Sequence, residues 1–147
     1  RSFRVGLTKL DGKMDQNLLS FGLDQFDELL KRSDRDVLLH GDIHHDNVLK
    51  DGDSWKLIDP HGYIGPQGFD LGAMLRNPYD CFPTSRALRE TVDKRIEILN
   101  SHLPNERSEI VGWSYVYTLI SSLWSFEDHH EVPDQHLKIL KILQSMV

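Results

Sequence analysis

Between Val37 and Ile58 the chain breaks into short, largely apolar runs of three or four residues, Val37-Leu38-Leu39, Val48-Leu49-Lys50 and Trp55-Lys56-Leu57-Ile58, separated by charge and turn residues. Runs this brief cannot close a stable amphipathic helix, so they predict short strands, the first of them buried. Asp51-Gly52-Asp53 lies between the second and third, and an Asp-Gly pair there predicts a hairpin. From Asp59 to about Phe69 the pattern dissolves into Gly- and Pro-punctuated loop. Helical spacing governs nearly everything else. Leu18, Leu19, Phe26, Leu29 and Leu30 predict a helix over about Asn17 to Arg32, and Leu88, Val92, Ile96 and Leu99 predict one over Ser85 to Asn100, stopped by Pro104. Asn105 reads as the N-cap of a long apolar helix through Trp113, Val116, Ile120, Leu123 and Trp124. Pro133 reads as the first residue of a last helix carrying Leu137, Leu140 and Leu143. The expected class is α+β, mainly α: one helical body over residues 1–147 with a small strand-and-hairpin insert.

Composition narrows the partners. The 147 residues carry 17 Lys+Arg against 23 Asp+Glu, a net charge of −6. With no basic stripe, nucleic acid and anionic membrane are not expected partners, whereas a cationic small molecule is. No apolar run reaches the roughly 18 residues of a membrane helix and no signal peptide is visible, so the expected location is cytoplasmic. A single cysteine, Cys81, excludes an internal disulfide and a thiolate cluster, and beside Phe82 and Pro83 it reads as a small buried hydrophobe. The chain opens at Arg1 rather than Met, which suits either a processed chain or a piece of a longer one.

The unusual chemistry lies in the strand insert, VLLHGDIHHDNVLKDGDSWKLID. Asp42 and Asp59 both follow apolar strands, and the hairpin returns the chain so that Asp59 can approach Asp42 and Asn47. Two carboxylates and an amide oxygen are hard ligands that suit Mg²⁺ with phosphate and water completing its shell. Asp and Asn are also ordinary turn residues, so each alone carries little. Their spacing carries more. His40-Gly41-Asp42-Ile43-His44-His45-Asp46-Asn47 keeps the His, Asp, apolar and Asn positions of the protein-kinase catalytic loop H-R-D-L-x-x-x-N, with Arg replaced by Gly. Leu57-Ile58-Asp59 then supplies a second acid, without the D-F-G or A-P-E of protein kinases.

HGDIHHDNVL, LIDPHG and GFDLGAMLRNP together resemble the aminoglycoside phosphotransferases, and within them the streptomycin 6-kinase and hydroxyurea-resistance branch. The specific resemblance covers about residues 37–78, with weaker helical agreement to the C-terminus. It implies a protein-kinase-like C-terminal lobe and a small-molecule kinase that moves the ATP γ-phosphate to an alcohol, such as a hydroxyl of streptomycin. It implies Asp42 as catalytic base, Asn47 and Asp59 as Mg²⁺ ligands, His40 as a brace for the loop and Asp70 as an anchor for its backbone. Family members also have an N-terminal lobe with a strand-borne Lys and a phosphate-covering loop. Lys9 and Lys13 lie before the first helix, in the wrong context, so that lobe is expected to be missing here and the isolated chain to be inactive. Asp80, Glu127 and Asp128 are candidate contacts for a cationic acceptor, although surface acids are commonly just solvated.

Two other classes remain in view. His40, His44, His45 and His61 with Asp42, Asp46 and Asp59 could build a divalent-metal-dependent phosphoester hydrolase, since His and carboxylate suit Zn²⁺ or Mn²⁺. The chain could also be a non-catalytic binding module that keeps a kinase-like loop as scaffold. The aromatic run Trp113, Tyr115, Tyr117, Trp124 and Phe126 reads as core, and His129-His130 beside Glu127-Asp128 as an exposed polar loop.

Overall fold

A computed structural model describes residues 3–33, 36–77 and 85–147, with the backbone alone at 85 and 86. The predictions for Asp80 and Cys81 therefore fall outside the described residues. The helices are α1 (Phe3–Leu7), α2 (Gln16–Arg32), α3 (Phe69–Arg76), α4 (Ser85–His102), α5 (Arg107–His129) and α6 (Asp134–Gln144); the strands are β1 (Asp36–Leu39), β2 (Val48–Asp51), β3 (Ser54–Leu57) and β4 (Tyr63–Pro66). The architecture is mainly helical with small antiparallel ladders, in keeping with an α+β kinase-like class.

Helix α5 is the axis of the molecule. Ile110, Val111, Trp113, Tyr115, Val116, Tyr117 and Leu119 are buried on every side of it, because α2, α3, α4 and α6 all pack against it. A helix apolar all round belongs in the interior. Three of its buried hydroxyls are satisfied locally: Ser114, Thr118 and Ser122 each donate to the carbonyl four residues back, at 2.7, 2.7 and 2.8 Å, whereas the buried Ser121 hydroxyl has no such partner among the described residues. The Tyr115 hydroxyl donates to the Leu18 carbonyl at 2.8 Å and ties α5 to α2. Helix α3 comes closer still. A Cβ on Gly72 would stand 2.1 Å from the Tyr117 Cβ, so only glycine allows this crossing. Arg95 of α4 donates to the Leu75 and Asn77 carbonyls, both at 2.7 Å, and closes the C-terminal end of α3.

Several local expectations change. The run Val37–Leu39 does form β1, but it is not a buried strand: Leu39 is buried and Leu38 is 78% exposed. The reason is its partner. β1 pairs with β4, not with the hairpin, and this two-stranded ladder is covered on one face only, so alternate side chains face outward. The segment Tyr63–Pro66, read as loop because of its Gly and Pro, is that partner strand; Pro66 sits at the end of the ladder opposite Asp36, a place where a missing N–H is tolerated. β2 and β3 form the predicted hairpin around Gly52, whose φ is +60°.

Helix ends shift slightly. Asp15 caps α2 by accepting from the Asn17 amide at 2.9 Å. The cap of α5 is Glu106, not Asn105; it caps with its backbone carbonyl alone, which accepts from Glu109 and Ile110. Pro133 precedes α6 as its cap rather than opening it. Leu30, placed on the apolar face of α2, is 41% exposed. Phe3–Leu7 is helical where no element was expected.

His136 of α6 is buried at the contact with α5, its Nδ1 3.2 Å from the Ser122 hydroxyl. Burial, with a smaller contribution from the Arg76 charge, pushes its pKa down from 6.5 to about 4. Between those values the unfolded chain binds a proton that the folded chain refuses. Stability is therefore complete above pH 6.5 and falls as the pH drops toward 4, by about 3 kcal/mol. Thermal unfolding across that range should show the loss, and a His136→Gln variant should lack this share of it.

Candidate active site

The loop after β1 is held by one carboxylate. Asp70, in the first turn of α3, accepts from the His40 amide on Oδ2 at 3.0 Å and from the Gly41 amide on Oδ1 at 2.7 Å. An acid in the first turn is also favoured by the helix dipole. His40 carries the tie across to β3. Its Nε2 lies 2.8 Å from the Ile58 carbonyl, so Nε2 must bear the proton and Nδ1 is left to accept from the Asp42 amide at 3.3 Å. The His40 carbonyl accepts from the His61 amide at 2.8 Å. Both ring nitrogens of His40 are thus spent on backbone, which removes it as a metal ligand.

Gly41 has φ +84°, and a Cβ there would meet the Tyr63 ring at 2.6 Å. The Gly that stands where protein kinases have Arg is therefore required by this loop.

The loop delivers Asp42 half-buried between two donors. The Tyr117 hydroxyl donates to Oδ1 at 3.1 Å, and the His44 Nε2 lies 3.2 Å from Oδ2. His44 Nδ1 faces the Asp46 amide at 3.4 Å, so the Nε2–H tautomer satisfies both neighbours. Asn47 closes the loop by donating from Nδ2 to the Asp42 carbonyl at 3.0 Å. Nδ2 also lies 3.2 Å from the His44 Nε2, a packing contact and not a hydrogen bond while that nitrogen gives its proton to Asp42. That orientation leaves Oδ1 to a ligand. The Ile58 amide donates to the Asn47 carbonyl at 3.1 Å, which brings Asp59 beside Asn47 along the backbone. Asp59 itself is exposed, with φ +53°. Left-handed backbone is uncommon outside glycine and gathers at functional sites, although Asp tolerates it better than most residues. An amide oxygen and a carboxylate from adjacent turns suit Mg²⁺, which keeps several waters and takes few protein ligands.

The other candidates are scattered. Glu127, near the end of α5, pairs with Lys9. It also borders a cavity of about 340 Å³ walled by Phe3, Tyr63, Phe69 and Trp124. Asp128, His129 and His130 are exposed, with His130 in the left-handed cap of α5. The histidine-rich metal cluster does not assemble among the described residues. Among the described residues, three or more ligand atoms converge only at His44, His45 and Asp46, without Asp42 or Asp59. His61 instead packs edge-on against Tyr63, their rings 5.5 Å apart. Two neighbours of Asp42 escaped the sequence reading: Tyr117, assigned to the core, and His44, considered only as a metal ligand. For His44 a signal existed, since it lies two residues beyond Asp42.

Replacing Asp70 by Ala would strand two loop amides that are removed from solvent. We expect a loss of about 2–4 kcal/mol in urea unfolding, with weakened loop order read by amide exchange at His40 and Gly41.

The chain matches the profile of the aminoglycoside/hydroxyurea antibiotic resistance kinases over residues 4–129. It is 35% identical over 94 residues to the streptomycin 6-kinase of Streptomyces glaucescens, an alignment covering 63% of this chain and 31% of that protein. It is 35% identical over 94 residues to the streptomycin 3''-kinase of Klebsiella pneumoniae, covering 61% and 35%. A methylthioribose kinase of Geobacillus thermodenitrificans is 46% identical over 46 residues, 31% of this chain and 12% of that protein. The chain thus spans about a third of the length of the streptomycin kinases it matches. No solved structure matches it. With the profile running from the first helix to the end of α5, the chain belongs to the aminoglycoside/hydroxyurea antibiotic resistance kinase family.

Proposed function

We propose that this chain is the C-terminal lobe of a small-molecule kinase that transfers the γ-phosphate of ATP to an alcohol of a cationic acceptor, an aminoglycoside such as streptomycin. The observation that carries the reading is the Asp42 carboxylate, held on both oxygens beside an Asn47 whose amide oxygen is left for a ligand. Two relatives named as streptomycin kinases support the acceptor class.

The transfer asks little covalent chemistry of the protein. Its transition state is loose, so positioning and charge neutralisation do most of the work. Asp42 accepts a hydrogen bond from the acceptor hydroxyl and aims its oxygen in line with the γ-phosphorus. The new O–P bond forms as the bond to the β-phosphate oxygen breaks, ADP departs, and the hydroxyl proton passes to Asp42. Asn47 and Asp59 are the residues that would hold Mg²⁺, which when bound neutralises charge on the phosphates. An N-terminal lobe elsewhere in the complete protein would cover the nucleotide. Leu38 and Ile64, paired across β1 and β4 and each 78% exposed, together with Trp55 at 67%, offer it an apolar surface.

The cavity under Glu127 suits the acceptor. Aromatic walls stack on sugar rings, and a carboxylate at the rim attracts a cationic group that can displace Lys9. Asp128, exposed on the next residue, adds to the negative field, and Asp80 is proposed on the resemblance alone.

Phosphorylation of an aminoglycoside panel by the full-length protein with Mg²⁺ and ATP tests the reading. Streptomycin should gain one phosphate, Asp42→Asn should lower kcat by about 10²-fold or more, and chelation of Mg²⁺ should abolish turnover. The 147-residue chain alone should show no turnover. Glu127→Gln should raise KM for the acceptor several-fold and leave KM for ATP unchanged. Absence of any phosphorylated alcohol with the full-length protein would sink the kinase reading.

A further inference from the structure

Asp70 anchors the loop bearing Asp42 at the His40 and Gly41 amides, but the Asp42 carboxylate itself rotates easily about its own bonds. His44 sits in that same loop and moves with it. Tyr117 does not. It belongs to the buried axis α5, it is fully buried, and its hydroxyl reaches Oδ1 of Asp42 across 75 residues of sequence. Among the described residues it supplies the side-chain hydrogen bond that connects this carboxylate to the helical body. The ring has no room to swing. Gly72 of α3 presses on its Cβ, Phe69 lies 5.4 Å from it centroid to centroid, and Trp124 crosses it edge-on at 6.0 Å. Arg76, at the end of α3, stands over the ring with its guanidinium carbon 5.9 Å from the centroid, and its positive charge acts on the phenol oxygen. The hydroxyl therefore donates to an anion from a ring that carries a cation on its face, and the two charges polarise the bond between them. Burial and the Asp42 charge push the phenol pKa well above its usual 10, so the donor proton stays in place at any working pH.

We propose that Tyr117 is a positioning residue for Asp42, its hydroxyl polarised by the nearby Arg76 charge, so that Oδ1 is held by the body of the protein and the carboxylate presents a set face to the acceptor hydroxyl. This rests on the kinase reading above and assigns a task to Arg76, which lies in the Leu75-Arg76-Asn77 stretch. The proposal predicts a particular kinetic signature. A loosened carboxylate still lets substrates bind, but spends less time in the in-line geometry.

The test uses the full-length protein with streptomycin and Mg²⁺·ATP. Tyr117→Phe removes one oxygen and keeps the ring, so folding should survive. We expect kcat to fall about tenfold with KM for both substrates unchanged, the size of one hydrogen bond to a charged group. Arg76→Gln should lower kcat in the wild-type background and have little further effect in Tyr117→Phe, because it acts through the hydroxyl. Unchanged kcat in Tyr117→Phe, or a rise in KM alone, would overturn the proposal; additive effects of the two substitutions would remove Arg76 from it.

A second arm needs no substrate. In thermal unfolding, the losses of Tyr117→Phe and Asp42→Ala should together exceed that of the double variant by about 2–4 °C. Strict additivity there would mean that Tyr117 does not hold Asp42. If the wild type phosphorylates no alcohol, the kinase reading fails, while this arm still decides the contact.

Discussion

Everything at the candidate site hangs from the Asp70 carboxylate, whose two oxygens grip the successive amides of His40 and Gly41. The loop between β1 and β2 has no ladder of its own to satisfy those amides. An acid at the start of a helix can do so, and it carries the rigidity of α3 into the loop. Helix α3 is in turn pressed on α5 at Gly72 and closed at its far end by Arg95. The position of Asp42 is thus inherited from helix packing rather than from the small strands around it.

Two ties enforce that inheritance from opposite sides. His40 joins the end of β1 to Ile58 and so sets where Asp59 emerges relative to Asn47. Tyr117 joins the carboxylate of Asp42 to the molecular axis. Between them the loop is closed by its own residues, with His44 and Asn47 bonding inward. A loop carrying this many local polar partners can hold an acid and an amide a few residues apart without a sheet beneath them.

Much of the site was legible because kinase-type chemistry imposes close sequence spacing. Asp42 and Asn47 must share one loop, and a second acid must return on a hairpin, so the pattern survives in a single stretch of chain. The helices were legible for a similar reason, since the apolar faces of α2, α4 and α6 repeat with the helical period. β4 was not, because Gly65 and Pro66 oppose strand propensity and the pairing with β1 lies more than twenty residues away.

The sequence by itself determined the family, the helical class and the loop that carries Asp42 and Asn47, because each depends on neighbours along the chain. Only the tertiary structure decided that Leu38 faces outward, that Glu127 meets Lys9, and that Tyr117 reaches Asp42. An aromatic residue inside an apolar helix has the same local signature whether its hydroxyl ends in the core or at a carboxylate. The difference lies in the 3.1 Å between atoms 75 residues apart, and packing alone sets that distance.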